Sequence, residues 1–476
     1  MRKSGLPFGV YNVLLCVLVV CAVVLICLCA EEAEQRYYLK WDVSDDRITA
    51  LSDYTLSHLA ALEGDVVIYP VYTPGTSGSL RDLQSETLMR MASVCDHVTV
   101  ETIDPDTQPQ RLLSLAGESE GIPDGTVLIH SLETGRTVRL DPDDFLFSRR
   151  LDDEIYTIYC GEALLIGAID SATAPHPATA WFVTGHGEAA QEDCAQWSLQ
   201  LQAMGFGVSG GALGIIRPGA EDVLMLLDPR SDLTRNEAQQ LIAFLDGGGK
   251  LIIACGADTP LDRLPELNAV LDLYGLGYQA GWVVESRDAA DRYVDRPELL
   301  SPALASASVM EALPGRLILP RSCAVAAPSL RPGVTAETLL VTSPSAVLKR
   351  NTDGDAYTFD DGDVSGTMPL AVLASSGEMR ILQLASADML RDDQALKGTT
   401  VLDASENLTF TAACLKAMTG GDIDLTLAAG VKQLPAQLIT FDSQQTRQRV
   451  SVLLLTVLPG SILLVMVAVL LRRRRL

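Results

Sequence analysis

Ala180-Trp181-Phe182-Val183-Thr184-Gly185-His186-Gly187-Glu188 is the stretch on which the reading of this chain turns. Its apolar first half predicts a buried strand. The Thr-Gly-His-Gly-Glu end predicts a tight turn, because its two glycines can take backbone angles denied to other residues. A helix is expected over 191–204, with Trp197, Leu199, Leu201 and Met204 as its apolar residues. This order presents His186 and Glu188 at the carboxyl end of a strand, where ligands sit in open α/β sheets.

On the carboxyl side the pattern alternates. Strands are expected near 206–208, at 223–227 and at 250–254, with a helix over 235–246. That alternation predicts a largely parallel sheet with helices on both faces. The helix signal is strongest where Thr234 and Glu237 make a capping box, Ala238, Leu241, Ile242 and Leu245 share a face, and Gly247-Gly248-Gly249 ends the run. Beyond it the pattern predicts a helix over 264–274, strands at 316–319, 339–341, 370–374 and 380–384, and a last helix over 407–418.

On the amino side a smaller α/β unit is expected: helix 53–62, strand 66–72, helix 80–94, strand 98–103 and a hairpin from 125–129 and 136–140. The order suits a thioredoxin-like arrangement, without the C-x-x-C that redox work needs. A helix over 161–172 and Ala174-Pro175-His176-Pro177 lead from this unit to the next.

Both ends of the chain are apolar. Residues 10–30 and 450–471 carry no charge, and at about 1.5 Å per residue each is long enough for a hydrocarbon layer of roughly 30 Å. Arg2, Lys3 and Arg472 to Arg475 flank the outer ends, while Glu31, Glu32 and Glu34 follow the first run. The expectation is a two-pass protein of the cell membrane with both termini cytoplasmic and a large extracytoplasmic middle. A cleaved signal peptide is the alternative for the first run, but its apolar part exceeds the usual length of roughly 7 to 15 residues and no Ala-x-Ala site follows. Pro459-Gly460 predicts a kink in the second run. The expected organisation is a tail (1–9), a span (10–30), an α/β domain (31–160), a connecting helix and linker (161–177), a second α/β domain (178–420), a stalk (421–449), a span (450–471) and a basic tail (472–476).

Residues 31–449 hold all 61 acidic residues and 30 of the 36 basic ones, so the middle is strongly negative. Such a surface excludes nonspecific binding to nucleic acid or anionic headgroups. Cys16, Cys21, Cys27 and Cys29 lie in the first apolar run. The scattered Cys95, Cys160, Cys194, Cys255, Cys323 and Cys414 read as small buried residues rather than zinc ligands or a disulfide framework. Neither a metal nor a cofactor is expected.

Several strings bear on chemistry. His186 and Glu188 suit a base and its orienter, or a ligand site across Thr184, Gly185, His186, Gly187 and Glu188; a purely structural turn is the alternative. Ala254-Cys255-Gly256 resembles a strand-to-helix elbow, which makes Cys255 a candidate nucleophile. Gly207-Val208-Ser209-Gly210-Gly211 matches G-x-S-x-G without the helix that should follow. Gly247-Gly248-Gly249-Lys250 has the elements of a phosphate loop in reverse order. The acidic strings at 351–355 and 360–363 lack the glycine and glutamate positions of a calcium hand and read as an acidic hairpin. Asn407-Leu408-Thr409 is a glycosylation string in a secretory-pathway setting.

Taken together, a set of ordered pieces resembles one family. They are Trp41-Asp42-Val43-Ser44 with Leu51-Ser52, then Val100-Glu101-Thr102-Ile103-Asp104-Pro105-Asp106, then Gly161-Glu162-Ala163. Val183-Thr184-Gly185-His186-Gly187-Glu188, Asp228-Pro229-Arg230-Ser231-Asp232-Leu233-Thr234, Gly248-Gly249-Lys250-Leu251, Leu267-Asn268 and Tyr274-Gly275-Leu276 follow. The chain is similar to the GldG-like, gliding-motility-associated auxiliary subunits of ABC-type transport systems. The resemblance implies a membrane-anchored extracytoplasmic subunit that works by binding and positioning beside an ABC permease and ATPase, with a second domain similar to the class I glutamine amidotransferase fold. A transported substrate or a cell-envelope component is the further partner it implies. No Walker motif is present, so ATP hydrolysis belongs to a partner. Cys255 departs from the family pattern, which has an acidic residue after that strand. It keeps open an envelope amidohydrolase or amidotransferase-like enzyme using Cys255, His186 and Glu188; a membrane-tethered sensor without a transporter is the third reading.

Overall fold

Why the chain folds as a mixed α/β protein is clearest at β1 (Val66–Pro70), which is buried at all five positions. A strand covered on both faces is apolar throughout rather than alternating. In this computed structural model the described residues are 50–420, except 77, 119–120, 152–153, 286–291, 294–295, 314, 330, 352–355, 357 and 397, together with 432–434 and isolated positions of the two apolar runs. Both expected spans and both tails therefore lie outside the described residues, apart from those positions. Among the described residues no helix is long and apolar enough to cross a membrane.

In the N-terminal unit β1 lies beside β2 (Val98–Val100), β3 (Val127–Ser131) and β4 (Thr137–Leu140), in the order β2-β1-β3-β4. β2 is parallel to β1, β3 is antiparallel to it, and β3 and β4 form the expected hairpin. Helices α1 (Asp53–Ala61) and α2 (Ser79–Val94) belong to one face, where Leu59, Leu88 and Met91 share a core with Val66 and Ile68. The other face is covered by α3 (Pro109–Ala116), whose Leu112 packs with Val67, Tyr69 and Leu128. Sequence patterning missed α3. It is only eight residues long, and its proline at the first turn reads as a breaker unless it is recognised as a helix start.

A second hairpin, β5 (Leu146–Leu151) with β6 (Glu154–Tyr159), was also not anticipated. The strand Lys432–Leu434 pairs antiparallel with β6. Its Leu434 is buried and belongs to the N-terminal core; the rest of the expected stalk, 421–431 and 435–449, lies outside the described residues.

Helix α4 (Gly161–Thr173) is buried along nearly its whole length. Asp170 is its exposed residue, while Leu164, Leu165, Ile166 and Ile169 pack into the N-terminal core. The helix lies against α5 (Ala195–Ala203), which sends Leu199 and Ala203 into the N-terminal core and Trp197 and Leu201 into the second. The expected helix over 191–204 thus begins as a short 3-10 turn, Gln191–Cys194.

The second unit is an eight-stranded sheet. β7 (Thr179–Thr184), β8 (Gly207–Ala212), β9 (Val223–Leu227) and β10 (Lys250–Ala254) stand in the order β10-β9-β7-β8, all parallel. Met379–Leu384 adds a fifth parallel strand beside β10. From there Pro369–Ser376, Thr335–Val341 and Ala303–Leu304 continue antiparallel. The parallel expectation therefore holds for the strands it was read from, and the three strands beyond Met379–Leu384 add an antiparallel edge. Pro369–Ser376 and Met379–Leu384 are joined by the two-residue turn Gly377-Glu378, and so short a connection forces antiparallel pairing. Helices α6 (Arg235–Asp246), α7 (Pro265–Leu273) and α8 (Asn407–Thr419) fall where the pattern places them, α6 with the Thr234–Glu237 capping box formed.

A tight backbone approach between α4 and α5 occurs at Gly167. A Cβ there would lie 2.0 Å from the Gln202 carbonyl oxygen and 2.8 Å from that of Ala203. Intrinsic propensity favours alanine over glycine in a helix by about 1 kcal/mol, whereas overpacking against backbone costs roughly 1–3 kcal/mol. Gly167→Ala is therefore expected to destabilise, with a lower Tm in thermal denaturation; a raised Tm would show that the two helices do not pack at this distance.

Candidate functional site

The carboxyl ends of the parallel strands carry the polar residues singled out by the sequence. After β7 the chain turns through Gly185 (φ +118°) and Gly187 (φ +78°), both in the left-handed region that favours glycine. A Cβ on Gly187 would also lie 3.0 Å from the Cβ of Arg230. His186, 6% exposed, sits between two carboxylates: Nδ1 is 2.9 Å from Glu188 Oε1, and Nε2 is 3.2 Å from Glu237 Oε2. Its amide donates to Glu188 Oε2 at 2.6 Å, and its carbonyl accepts from the amides of Arg230 (2.8 Å) and Ser231 (3.0 Å). Glu237 is the capping glutamate of α6. The Thr234 hydroxyl, ahead of its backbone amide and His186, holds that carboxyl below the usual range. The turn after β7 is thus bolted to the turn after β9 and to the start of α6, and both ring nitrogens of His186 are occupied from within.

Next to it is a second network that sequence reasoning did not single out as a site. Asp228, buried, follows β9 with φ +57°; Arg321 has φ +41°. These are the two non-glycine residues of positive φ among the described residues, and such strain collects at functional positions. Asp228 accepts from the Thr259 hydroxyl at 2.6 Å and pairs with Arg230. Arg230 also donates to the Asp258 carbonyl at 2.8 Å. Arg321 grips the Asp258 carboxylate through two 2.7 Å bonds, which hold that carboxyl below its ordinary range. One ledge thereby joins the loops after β9 and β10 to the bend after Leu319–Pro320. Its Asp228-Pro229-Arg230 portion was visible in the sequence as one of the family-like strings. Arg321 had no local signal, since its partner lies 63 positions away.

Cys255 lies apart from His186. It is fully buried at the end of β10, and burial, with the negative Asp228 nearby, pushes its thiol well up. The Cys323 thiol donates to the Cys255 carbonyl at 3.3 Å, and the nearby Thr259 and Tyr278 hydroxyls donate to Asp228 and to the Ile253 and Leu384 carbonyls, respectively. A nucleophilic cysteine needs an exposed, stabilised thiolate and a base in reach. Here the thiol is enclosed and held protonated, and the imidazole is engaged by other partners. The described residues do not assemble the Cys255–His186–Glu188 constellation.

Other strings resolve into structure. Gly207 to Gly211 lie along β8, so Ser209 is on a strand and not at an elbow. Gly247 to Gly249 end α6, with the Gly249 amide bonded to the Phe244 carbonyl. Val347–Lys349 and Val364–Ser365 pair as the expected acidic hairpin, and the buried Lys349 ammonium takes up Asp360 (3.1 Å) and Asp363 (3.0 Å). Residues 352–355 lie outside the described set. Asn407 is buried and its side-chain amide donates to Ile318 and Met389 carbonyls, so the folded chain offers no acceptor for a glycan. Among the described residues no group of three His, Cys, Asp or Glu side chains is placed to hold a metal ion. The cysteines at 95, 160, 194, 255, 323 and 414 are free and buried, as their scatter suggested. A separate cleft of about 420 Å³ opens between the β5–β6 hairpin and α5, with Phe147, Arg149, Leu199 and Asp392 among its walls.

No protein-family model matches the chain, and no curated protein matches it. Among solved structures it is similar to the mmIFT52 N-terminal domain, at 18% identity and a TM-score of 0.39 over 52% of this chain and 100% of that one. It is also similar to the exo-beta-1,4-mannosidase Op5Man5 from Opitutaceae bacterium strain TAV5, at 13% identity and a TM-score of 0.31 over 72% of this chain and 50% of that one. Likenesses this loose carry no argument about what the chain does.

Two outcomes follow from the site. Cys255 is expected to stay unlabelled by alkylating reagents in the native protein and to react once it is denatured. Fast native labelling, read by mass spectrometry, would reinstate it as a nucleophile. Asp388, in the loop after Met379–Leu384, has its carboxyl pushed up by burial to about 6, against the pull of Arg391. The folded state then holds this proton more tightly than the unfolded chain, so the stabilisation is full below about pH 4 and is lost as the pH rises through about 6. Asp388→Asn should raise stability at pH 7.5 by on the order of 2 kcal/mol and change little near pH 4. Denaturant titrations at both pH values that moved equally would refute this.

Proposed function

We propose that this chain is a membrane-anchored extracytoplasmic auxiliary subunit of an ABC-type transport system, of the GldG-like kind, which acts by binding and positioning rather than by catalysis. In this reading residues 10–30 and 450–471 are its two spans, the N-terminal unit is thioredoxin-like, and the second unit is an amidotransferase-like domain whose carboxyl edge has become a docking ledge. The observation that carries the reading is that the edge is filled from within. His186 is taken by Glu188 and Glu237, Arg230 by Asp228, and Arg321 by Asp258.

Paired charges on a rigid, half-exposed rim suit recognition of a protein face, because they stay satisfied while the partner is absent. The side chains of Arg230, Asp258 and Arg321 remain 40–49% exposed, so a partner can reach them without dismantling the ledge. The partners in this reading are an ABC permease and its ATPase, with a transported substrate or envelope component as the further ligand.

Affinity recovery of the full-length protein from gently solubilised membranes, with mass spectrometry of what accompanies it, tests the proposal. Recovery of an ABC permease and ATPase is expected, and Arg321→Glu should reduce it. Recovery of the protein alone, from membranes shown to contain such partners, would reject it.

A further inference from the structure

Glu162, the second residue of α4, is fully buried. One carboxylate oxygen, Oε2, accepts three hydrogen bonds from the segment entering α1: the Ser52 amide (2.8 Å), the Ser52 hydroxyl (3.0 Å) and the Thr55 hydroxyl (2.8 Å). The other, Oε1, faces the Lys432 ammonium, which also donates to the Ala50 carbonyl. A carboxylate in the first turn of a helix is further favoured by the helix dipole. Lys432 is delivered by a strand of only three residues, aligned with Lys432 opposite Tyr159 and Leu434 opposite Thr157 on the outer edge of β6.

We propose that Glu162 and the outer edge of β6 form a socket for a lysine-bearing strand, filled in cis by Lys432–Leu434, and that this strand is a detachable clasp. It ties the segment after the first apolar run to the segment before the second. The two sides of the contact are unequal. When the lysine leaves, Glu162 keeps three donors, all from a segment anchored by α1, so the socket persists. Among the described residues the clasp is held by three ladder positions, one ammonium and one buried side chain, Leu434, and an element with so few ties opens early. Its lysine stem lies along the socket while the ammonium is the group that is read. The inference rests on Ala50, Ser52, Thr55, Glu162 and the pairing of Lys432–Leu434 with β6, and stands independently of the transporter reading.

Backbone hydrogen exchange on the full-length protein in detergent tests it with two variants, Lys432→Met and Leu434→Ser. Lys432→Met sets an apolar chain against a buried carboxylate, a mismatch that expels the strand. In both variants exchange at 432–434 and 157–159 is expected to rise by about tenfold or more, the size of effect that losing one charged hydrogen bond or one apolar anchor produces. Exchange in β1 and β3 should be unchanged. Unchanged exchange at 432–434 would show that the lysine and leucine do not hold the strand. A rise spread over β1 and β3 would show the strand to be an integral part of the core, and either result overturns the proposal.

Discussion

The structure depends first on the contact of two helices at Gly167. Because no side chain stands at that position, the backbone of α4 comes up to the last turn of α5 where any Cβ would collide with carbonyl oxygens. Both helices are thereby buried on opposite sides at once. α4 serves the N-terminal core, while α5 divides its residues between the two cores, Leu199 and Ala203 on one side and Trp197 and Leu201 on the other. Domain interfaces within a chain are commonly polar and permit relative motion. This one is apolar, because α5 packs side chains into both cores, and such a junction is stiff.

That rigidity bears on the carboxyl edge of the parallel strands. The turns after β7, β9 and β10 are held to one another by backbone bonds to His186, by its two carboxylates and by the Arg230 and Arg321 bridges. These groups are spent on each other, and the strained backbone at Asp228 and Arg321 is retained to bring them into register. A surface of this kind presents a fixed pattern of charge.

In the N-terminal unit, Glu162 gathers Ser52, Thr55 and Lys432. The pairing of residues 382 positions apart at one buried carboxylate makes the body of the protein a closed circuit.

Much of this was legible locally. The strands 223–227 and 250–254 and the helix 235–246 fall at the boundaries that hydrophobic period, a capping box and a glycine stop dictate, because those signals act within a few residues. The turn at 184–188 was legible for the same reason, since its glycines are needed where the backbone has φ > 0. The short α3, the β5–β6 hairpin and the strand Lys432–Leu434 were not, because they are stabilised by surfaces distant in sequence. The carboxyl edge divides the same way. That His186 and Glu188 lie together follows from their spacing, but Glu237 closing the other side of the ring, Arg321 on Asp258 and the burial of Cys255 depend on how strands and loops are stacked. By itself the sequence determined the α/β class, the order of elements and the position of the polar turn, all products of local periodicity and backbone sterics. Tertiary structure alone decided whether those polar groups stand free or are paired, because desolvation and charge pairing are set by neighbours that the chain brings together only on folding.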